Sequence, residues 1–203
     1  KLAKERHNSF GKTEMWYVIE ADKDAYLLSG LSKTITPEEY EKMVEDNTIT
    51  DVIARHNVKK GDVFFLPAGR IHAICGGCFI AEIQQTSDIT YRIYDYGRMG
   101  LDGKPRELHT ELAKDAIDFK AYSDYRTDYV TRENENTPLV ECQYFTTSLL
   151  DLTQPLTQGL AERDSFTIVI CTEGAGTVTV EGDNIDQQYK TVSMRQGETV
   201  LVP

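Results

Sequence analysis

The chain is poor in positive charge, in histidine and in long apolar runs. Its 203 residues include 22 Lys and Arg against 33 Asp and Glu, which gives a formal net charge of −11. This imbalance excludes nucleic acid and anionic membranes as general partners, because both repel an acidic protein. No apolar run approaches the roughly 20 residues of a membrane-spanning helix, and no signal peptide is recognisable. We therefore expect a cytoplasmic globular protein, although a local basic pocket can still bind an anionic metabolite.

Cysteine is also scarce. Cys75 and Cys78 have the spacing of a redox motif or of half a zinc site, but no second pair follows at zinc-ribbon spacing. The two glycines between them are typical of a hairpin turn. The pattern favours two reduced cysteines that flank a turn.

The most informative stretch runs from residue 60 to residue 95. Residues 63–66 are apolar and predict a buried strand, which must end at Pro67 because proline cannot donate to a sheet. Gly69 can adopt backbone angles that other residues resist, so it redirects the chain into a new strand at His72. The spacing Gly61-x5-Pro67-x-Gly69-x2-His72 resembles the second half of the cupin motif, in which the histidine points into a barrel.

The other segments before residue 139 predict a mixture of strands and helices. Strands are expected over residues 14–20 and 26–28, and a helix over 37–46, where Thr36, Pro37 and Glu39 form an N-terminal capping signature. Helical turns are expected over 49–55 and a longer helix over 105–119, both from apolar residues at helical spacing. Residues 121–138 are polar and poorly periodic, as in a linker.

From residue 139 onward the pattern is β again, and the second half weakly repeats the first. Gly197-x5-Pro203 matches Gly61-x5-Pro67, yet no histidine follows His109.

We predict a mainly β double cupin of two jelly-roll barrels, with a helical insertion over about 36–56 and a helix between the barrels. The expected domains are a metal-bearing half over 1–120, a linker over 121–138 and a half without metal ligands over 139–203. We also expect the first half to lack its N-terminal strands and the second to be truncated.

The four histidines are expected to have different roles. His72 is the candidate metal ligand. His7 is predicted to lie on the surface, His56 at the end of a helix and His109 in the first turn of a helix. A catalytic zinc needs about three protein ligands. Glu14, which opens a strand that would pair near His72, is the natural second ligand, and its alternative reading is a surface strand residue.

Glu82 and Arg92 follow His72 along the chain. A carboxylate and a guanidinium beside a metal suit proton transfer next to a carbonyl, because the guanidinium stabilises the developing enediolate charge. The alternative is an ion pair on a solvated rim, and the pattern alone does not decide between them.

Four blocks in order resemble type I mannose-6-phosphate isomerases, especially the short bacterial form. They are Phe10-Gly-Lys-Thr-Glu-Met-Trp-Tyr, Pro67-Ala-Gly-Arg-Ile-His-Ala, the run from Glu82 to Asp95, and Gly103-Lys-Pro-Arg-Glu-Leu-His109. The resemblance covers residues 2–119 closely and the second half more loosely. It implies a zinc enzyme that interconverts mannose 6-phosphate and fructose 6-phosphate through an enediol, with one zinc per chain, as a monomer or weak homodimer.

The resemblance also implies roles for individual residues. Glu14 and His72 match two family zinc ligands, and a Gln-x-His pair is expected upstream of Lys1. Lys12, Glu82 and Arg92 match catalytic residues, of which Lys12 and Arg92 would also bind substrate. Two other classes stay open. One is a non-catalytic cupin that senses sugar phosphates, and the other is a different cupin metalloenzyme such as a dioxygenase, which would usually be richer in histidine.

Overall fold

The computed structural model describes residues 1–160, 163–182, 186 and 190–203. These residues form two compact units, Lys1–Gln154 and Pro155–Pro203. The helices are α1 (Leu2–His7), α2 (Pro37–Glu45) and α3 (Thr110–Lys114), with a 3₁₀ turn over Ile49–Val52. No helix in the described part of the chain is long and apolar enough to span a membrane.

Twelve strands in the described residues make the chain mainly β, as predicted. The first unit contains β1 (Glu14–Ala21), β2 (Tyr26–Leu31), β3 (Ile53–Asn57), β4 (Val63–Leu66), β5 (His72–Ile74), β6 (Cys78–Gln84), β7 (Asn136–Glu141) and β8 (Thr146–Leu150). The second unit contains β9 (Thr167–Ile170), β10 (Ala175–Thr179), β11 (Thr191–Arg195) and β12 (Thr199–Val202).

All strand pairs among the described residues are antiparallel. In the first unit the strand orders are β4-β1-β6 and β3-β2-β5, and β7 pairs with β8. In the second unit β10 pairs with β11 and β9 with β12. Among the described strands no sheet closes into a barrel, so the two jelly-roll barrels stay a prediction.

Strand β1 shows why the two three-stranded sheets face each other. Side chains alternate along a strand, so Trp16 and Val18 share one face and Met15 lies on the other. Trp16 and Val18 are buried in a core that includes Leu27 from β2 of the opposite sheet. Met15 packs with Leu139 of β7 on the outer face. Glu14 has the same parity as Trp16 and therefore points between the two sheets.

Helix α2 confirms the capping signature. The Thr36 hydroxyl accepts from the Glu39 N–H at 3.2 Å, and the Glu39 carboxylate accepts from the Thr36 N–H at 2.7 Å. Behind this cap Tyr40 is fully buried beside Leu31 and Ile49. The cap therefore fixes the start of a helix that packs on Leu31 and Ile49 within the first unit.

We expect Thr36→Ala to lower the free energy of unfolding by about 1 kcal/mol, because it leaves the Glu39 N–H without its side-chain acceptor. Urea unfolding measures this loss. Thr36→Ser keeps the hydroxyl and should cost only a few tenths of a kcal/mol. Equal losses for the two variants would contradict a capping role.

Two predicted helical segments were wrong in extent. Residues 53–57 form β3 and pair with β2, so the helical turns end at Val52 and the insertion is shorter than 36–56. The helix expected over 105–119 is reduced to α3. His109 exchanges hydrogen bonds with Arg92 before α3, and the Asp118 N–H donates to the Gly69 carbonyl after it. Both ends are therefore tied to other segments instead of continuing the helix.

The segment predicted as a linker over 121–138 is a packed part of the first unit. Tyr125 is buried, and its hydroxyl bonds both the N–H and the carbonyl of Leu31, at 3.0 and 2.7 Å. The Thr127 N–H donates to the Val63 carbonyl at 2.8 Å. The segment then leads into β7, which begins at Asn136, and the division between compact units falls at 154/155 instead of 138/139.

Candidate active site

Four polar side chains meet between the two three-stranded sheets. Lys12, Glu14, His72 and Glu82 form what we call the inner cluster. The Lys12 ammonium lies 2.7 Å from Glu14 Oε2 and 3.4 Å from Glu82 Oε1, and His72 Nε2 lies 3.2 Å from Glu14 Oε1. Glu14 is only 1% exposed, so its charge depends on these neighbours. The alternative reading of Glu14 as a surface residue is excluded.

His72 is oriented by its own turn. Its Nδ1 lies 2.8 Å from the Arg70 carbonyl, which can only accept, so Nδ1 carries the proton and donates. In a neutral imidazole Nε2 is then an acceptor, and this is the nitrogen that faces Glu14. Fixing one ring nitrogen by a carbonyl while the other is left for a metal is the usual arrangement of a zinc-ligating histidine.

The pair of Glu14 and His72 passes a simple test for zinc. Glu14 Oε1 is buried without a hydrogen bond of good geometry, although His72 Nε2 is 3.2 Å away. Two ligand atoms at ordinary zinc distances on one tetrahedral ion lie about 3.3 Å apart. The two atoms therefore have the chemistry and the separation of two zinc ligands.

Two ligands alone would nevertheless not hold a catalytic zinc, which needs about three from the protein. Within the described ranges no group of three or more His, Cys, Asp and Glu side chains could hold a metal.

The acidity of Glu14 follows from the inner cluster. Burial alone would raise the pKa of its carboxyl, because it penalises the charged form, but the attraction of a protonated His72 ring and of the Lys12 ammonium outweighs burial. The pKa of Glu14 therefore lies below its ordinary value, and the group is a carboxylate at neutral pH.

Glu82 reaches the inner cluster from β6. It stands directly opposite Trp16 in the β1–β6 register, so the two side chains share a face. The Trp16 indole N–H donates to Glu82 Oε2 at 2.7 Å. Glu82 is therefore held from one side by Trp16 and approached from the other by Lys12.

Arg92 makes its contacts in a different segment. Its Nη1 donates to the Glu107 carbonyl at 3.1 Å, and its Nε lies 3.8 Å from Asp95 Oδ1. Its backbone N–H donates to His109 Nδ1 at 3.2 Å. These contacts tie Arg92 to the loop before α3, and its predicted role beside Glu82 rests on the resemblance alone.

The other histidines lie apart from the inner cluster's contacts. His56 is in β3 and not at a helix end: its ring packs against Phe64 and Tyr125. His7 Nε2 lies 2.6 Å from the Tyr91 hydroxyl. His109 is the N-cap residue of α3 and not a residue of its first turn.

The cysteines in the turn between β5 and β6 are free. Burial raises the pKa of the Cys75 and Cys78 thiols, which keeps them protonated at neutral pH. The turn joins strands of different sheets, since β5 pairs with β2 and β6 with β1, so it is not the hairpin that the two glycines suggested.

Trp16 is the residue of this site that sequence reasoning missed. It contacts Glu82 through its N–H, and its ring meets the His72 ring edge-on, with centroids 5.1 Å apart and planes at 86°. Its spacing of two from Glu14 was the available signal, because it puts both side chains on one strand face.

Sequence comparison identifies relatives of this chain among known proteins. The chain is 34% identical over 199 residues to the mannose-6-phosphate isomerase ManA of Bacillus subtilis, covering 97% of this chain and 60% of that protein. It is 31% identical over 202 residues to the mannose-6-phosphate isomerase of Streptococcus mutans, covering 99% of this chain and 61% of that protein. The chain is homologous to mannose-6-phosphate isomerases over almost its whole length. No family model matches it.

Solved mannose-6-phosphate isomerases also share the fold. The Bacillus subtilis enzyme superposes with a TM-score of 0.78 at 29% identity, covering 100% of this chain and 62% of that structure. A zinc-bound mannose 6-phosphate isomerase superposes with a TM-score of 0.62 at 12% identity, over 94% of this chain and 61% of that structure, and shows the fold alone. The chain thus spans about three fifths of the length of these relatives.

Proposed function

We propose that the protein containing this chain is a zinc-dependent aldose–ketose isomerase that interconverts mannose 6-phosphate and fructose 6-phosphate through an enediol. The observation that carries the proposal is the inner cluster, in which a buried carboxylate, an imidazole, an ammonium and a second carboxylate meet at 2.7–3.4 Å. The homology to mannose-6-phosphate isomerases selects this reaction among those that such a cluster could perform.

Glu14 and His72 would hold the zinc, through Oε1 and Nε2, together with ligands outside the described residues. Carboxylate oxygen and imidazole nitrogen are ordinary zinc ligands, which supports this choice of metal. Bound zinc would polarise the sugar oxygens and make the proton on the carbon beside the carbonyl more acidic.

Lys12 and Glu82 would perform the proton chemistry beside that site. Isomerisation removes a proton from a carbon next to a carbonyl and returns it to the neighbouring carbon, and a positioned acid or base contributes about 10²–10⁴-fold to such a step. Lys12 contacts both carboxylates of the inner cluster, so it offsets part of their negative charge and can stabilise negative charge that develops on the enediolate. Arg92 would bind an anionic group of the sugar phosphate, for which its planar guanidinium is suited.

Sugar turnover with and without zinc tests the proposal. The full-length protein that contains residues 1–203 is assayed for conversion of mannose 6-phosphate to fructose 6-phosphate as purified, after chelation, and after zinc is restored. We expect activity to fall to background on chelation and to return with zinc, whereas magnesium as the control ion should not restore it.

An absence of turnover by protein that holds zinc would reject the isomerase. Binding of the sugar phosphate without turnover would then favour the sensor class.

A further inference from the structure

Trp16 connects two members of the inner cluster that come from different sheets. Its side chain is 1% exposed, and it is the one tryptophan among the 203 residues. The indole N–H donates to Glu82 Oε2 at 2.7 Å, and the indole ring meets the edge of the His72 ring. Trp16 therefore touches both a proposed catalytic carboxylate and a proposed metal ligand.

The indole hydrogen bond distinguishes the two oxygens of Glu82. Oε2 is engaged by Trp16, while Oε1 faces the Lys12 ammonium at 3.4 Å. A carboxylate with one free torsion could otherwise turn either oxygen toward Lys12. The hydrogen bond thus fixes the plane of the carboxylate and leaves Oε1 for the reaction.

The requirements of the core alone do not explain this arrangement. Phenylalanine would fill much of the same space between the sheets without an N–H that needs an acceptor. The chain instead carries an indole whose N–H is paired with a partly exposed carboxylate. A hydrogen bond to a charged acceptor is stronger and more directional than a neutral one, so it suits positioning.

We propose that Trp16 is a positioning residue of the isomerase: its N–H orients the Glu82 carboxylate and its ring supports His72. This inference rests on the proposed function and adds to it a residue that acts through Glu82. A positioning residue affects the reaction of bound substrate more than the binding of substrate.

Kinetics of Trp16 variants test the inference in the full-length, zinc-loaded protein. Trp16→Phe should lower kcat about tenfold or more while KM changes less than about threefold. Replacement of Trp16 by benzothienylalanine keeps the bicyclic shape and exchanges the N–H for sulfur, so it separates the hydrogen bond from packing and should give a similar fall. Phe64→Leu is the matched control, because Phe64 lies opposite Trp16 in the β1–β4 register and shares its core. It should lower the melting temperature and leave kcat nearly unchanged.

A double variant identifies the residue through which Trp16 acts. If Trp16 acts through Glu82, then Trp16→Phe should add little further loss of kcat once Glu82→Gln is present. Losses that multiply in the double variant would overturn the inference. A benzothienylalanine protein with unchanged kcat would overturn it as well.

Fluorescence tests the Trp16–Glu82 contact without any need for activity. The emission difference between the unaltered protein and Trp16→Phe isolates Trp16, and Glu82→Ala should shift this difference spectrum. Glu20→Ala, which changes an exposed carboxylate on the same strand, should not. If the unaltered protein turns over normally and Glu82→Ala leaves the difference spectrum unshifted, this inference alone is overturned. An unaltered protein without turnover would overturn the proposed function and the role of Trp16 in it, while the spectrum would still report the contact.

Discussion

His72→Ala should remove both bound zinc and isomerase turnover from the full-length protein. The imidazole supplies one of about three protein ligands that a catalytic zinc requires, and it faces Glu14 Oε1, which alanine would leave without that partner. We expect zinc content to fall from one per chain to a small fraction after dialysis, and kcat/KM to fall about 10³-fold or more. Metal analysis and turnover of mannose 6-phosphate measure the two effects separately.

His7→Ala is the matched control for this loss. His7 contacts Tyr91 and no member of the inner cluster among the contacts described for it. This variant should retain zinc and most of the activity. If His72→Ala kept a full complement of zinc, His72 would not be a ligand.

Gly30→Ala should cause a large loss of stability for an exchange that adds only a single methyl group. Gly30 has a φ of +73°, and a Cβ placed there would lie 2.0 Å from Tyr125 Cε1. The backbone penalty of about 1–2 kcal/mol for a left-handed non-glycine residue adds to the displacement of the buried Tyr125 ring. We expect the free energy of unfolding to fall by about 3 kcal/mol or more, measured by urea unfolding.

Two further variants make this result interpretable. Gly76→Ala adds the same methyl group where nothing lies within 4 Å, and it should change stability by less than about 0.5 kcal/mol. In a Tyr125→Ala background the cost of Gly30→Ala should shrink to the backbone penalty, since the ring that it would strike is gone. Equal costs in both backgrounds would show that the ring does not matter.

Local signals predicted the parts of the fold that local interactions form. The alternation along residues 14–20 gives a strand, and the Thr36–Glu39 pair gives the start of α2. The turn through Pro67 and Gly69 delivers His72 to β5. In each case the deciding contacts join residues that are a few positions apart, so the local sequence predicts them.

Longer-range contacts account for the failures. Apolar residues at helical spacing suggested a helix over 105–119, yet Leu108 and Leu112 are exposed and the ends of the segment bond to Arg92 and Gly69. Periodicity does not report such partners. Tyr125 is one of three tyrosines in a polar stretch, and nothing in that stretch indicates that it is the one that occupies a core with β1, β2 and β4.

The same limits apply to the candidate site. Lys12, Glu14, His72 and Glu82 were proposed as members of one site, and in the structure their side chains lie within 2.7–3.4 Å of one another in pairs. Arg92 was expected beside Glu82, but no local pattern indicates its contacts with Glu107 and Asp95. The role of Trp16 depends on the register between β1 and β6, which pairs Trp16 with Glu82 across 66 residues of sequence.

The position of Tyr125 also affects how the protein can fold during synthesis. Its hydroxyl closes a contact with Leu31 across 94 residues, and its ring fills the space above Gly30. A ribosome adds about 5–20 residues each second, so β1 to β6 leave the exit tunnel seconds before this ring does. Part of the core between the first two sheets therefore stays exposed to solvent during that interval. Chaperones that shield apolar surface would bind the newly made chain there.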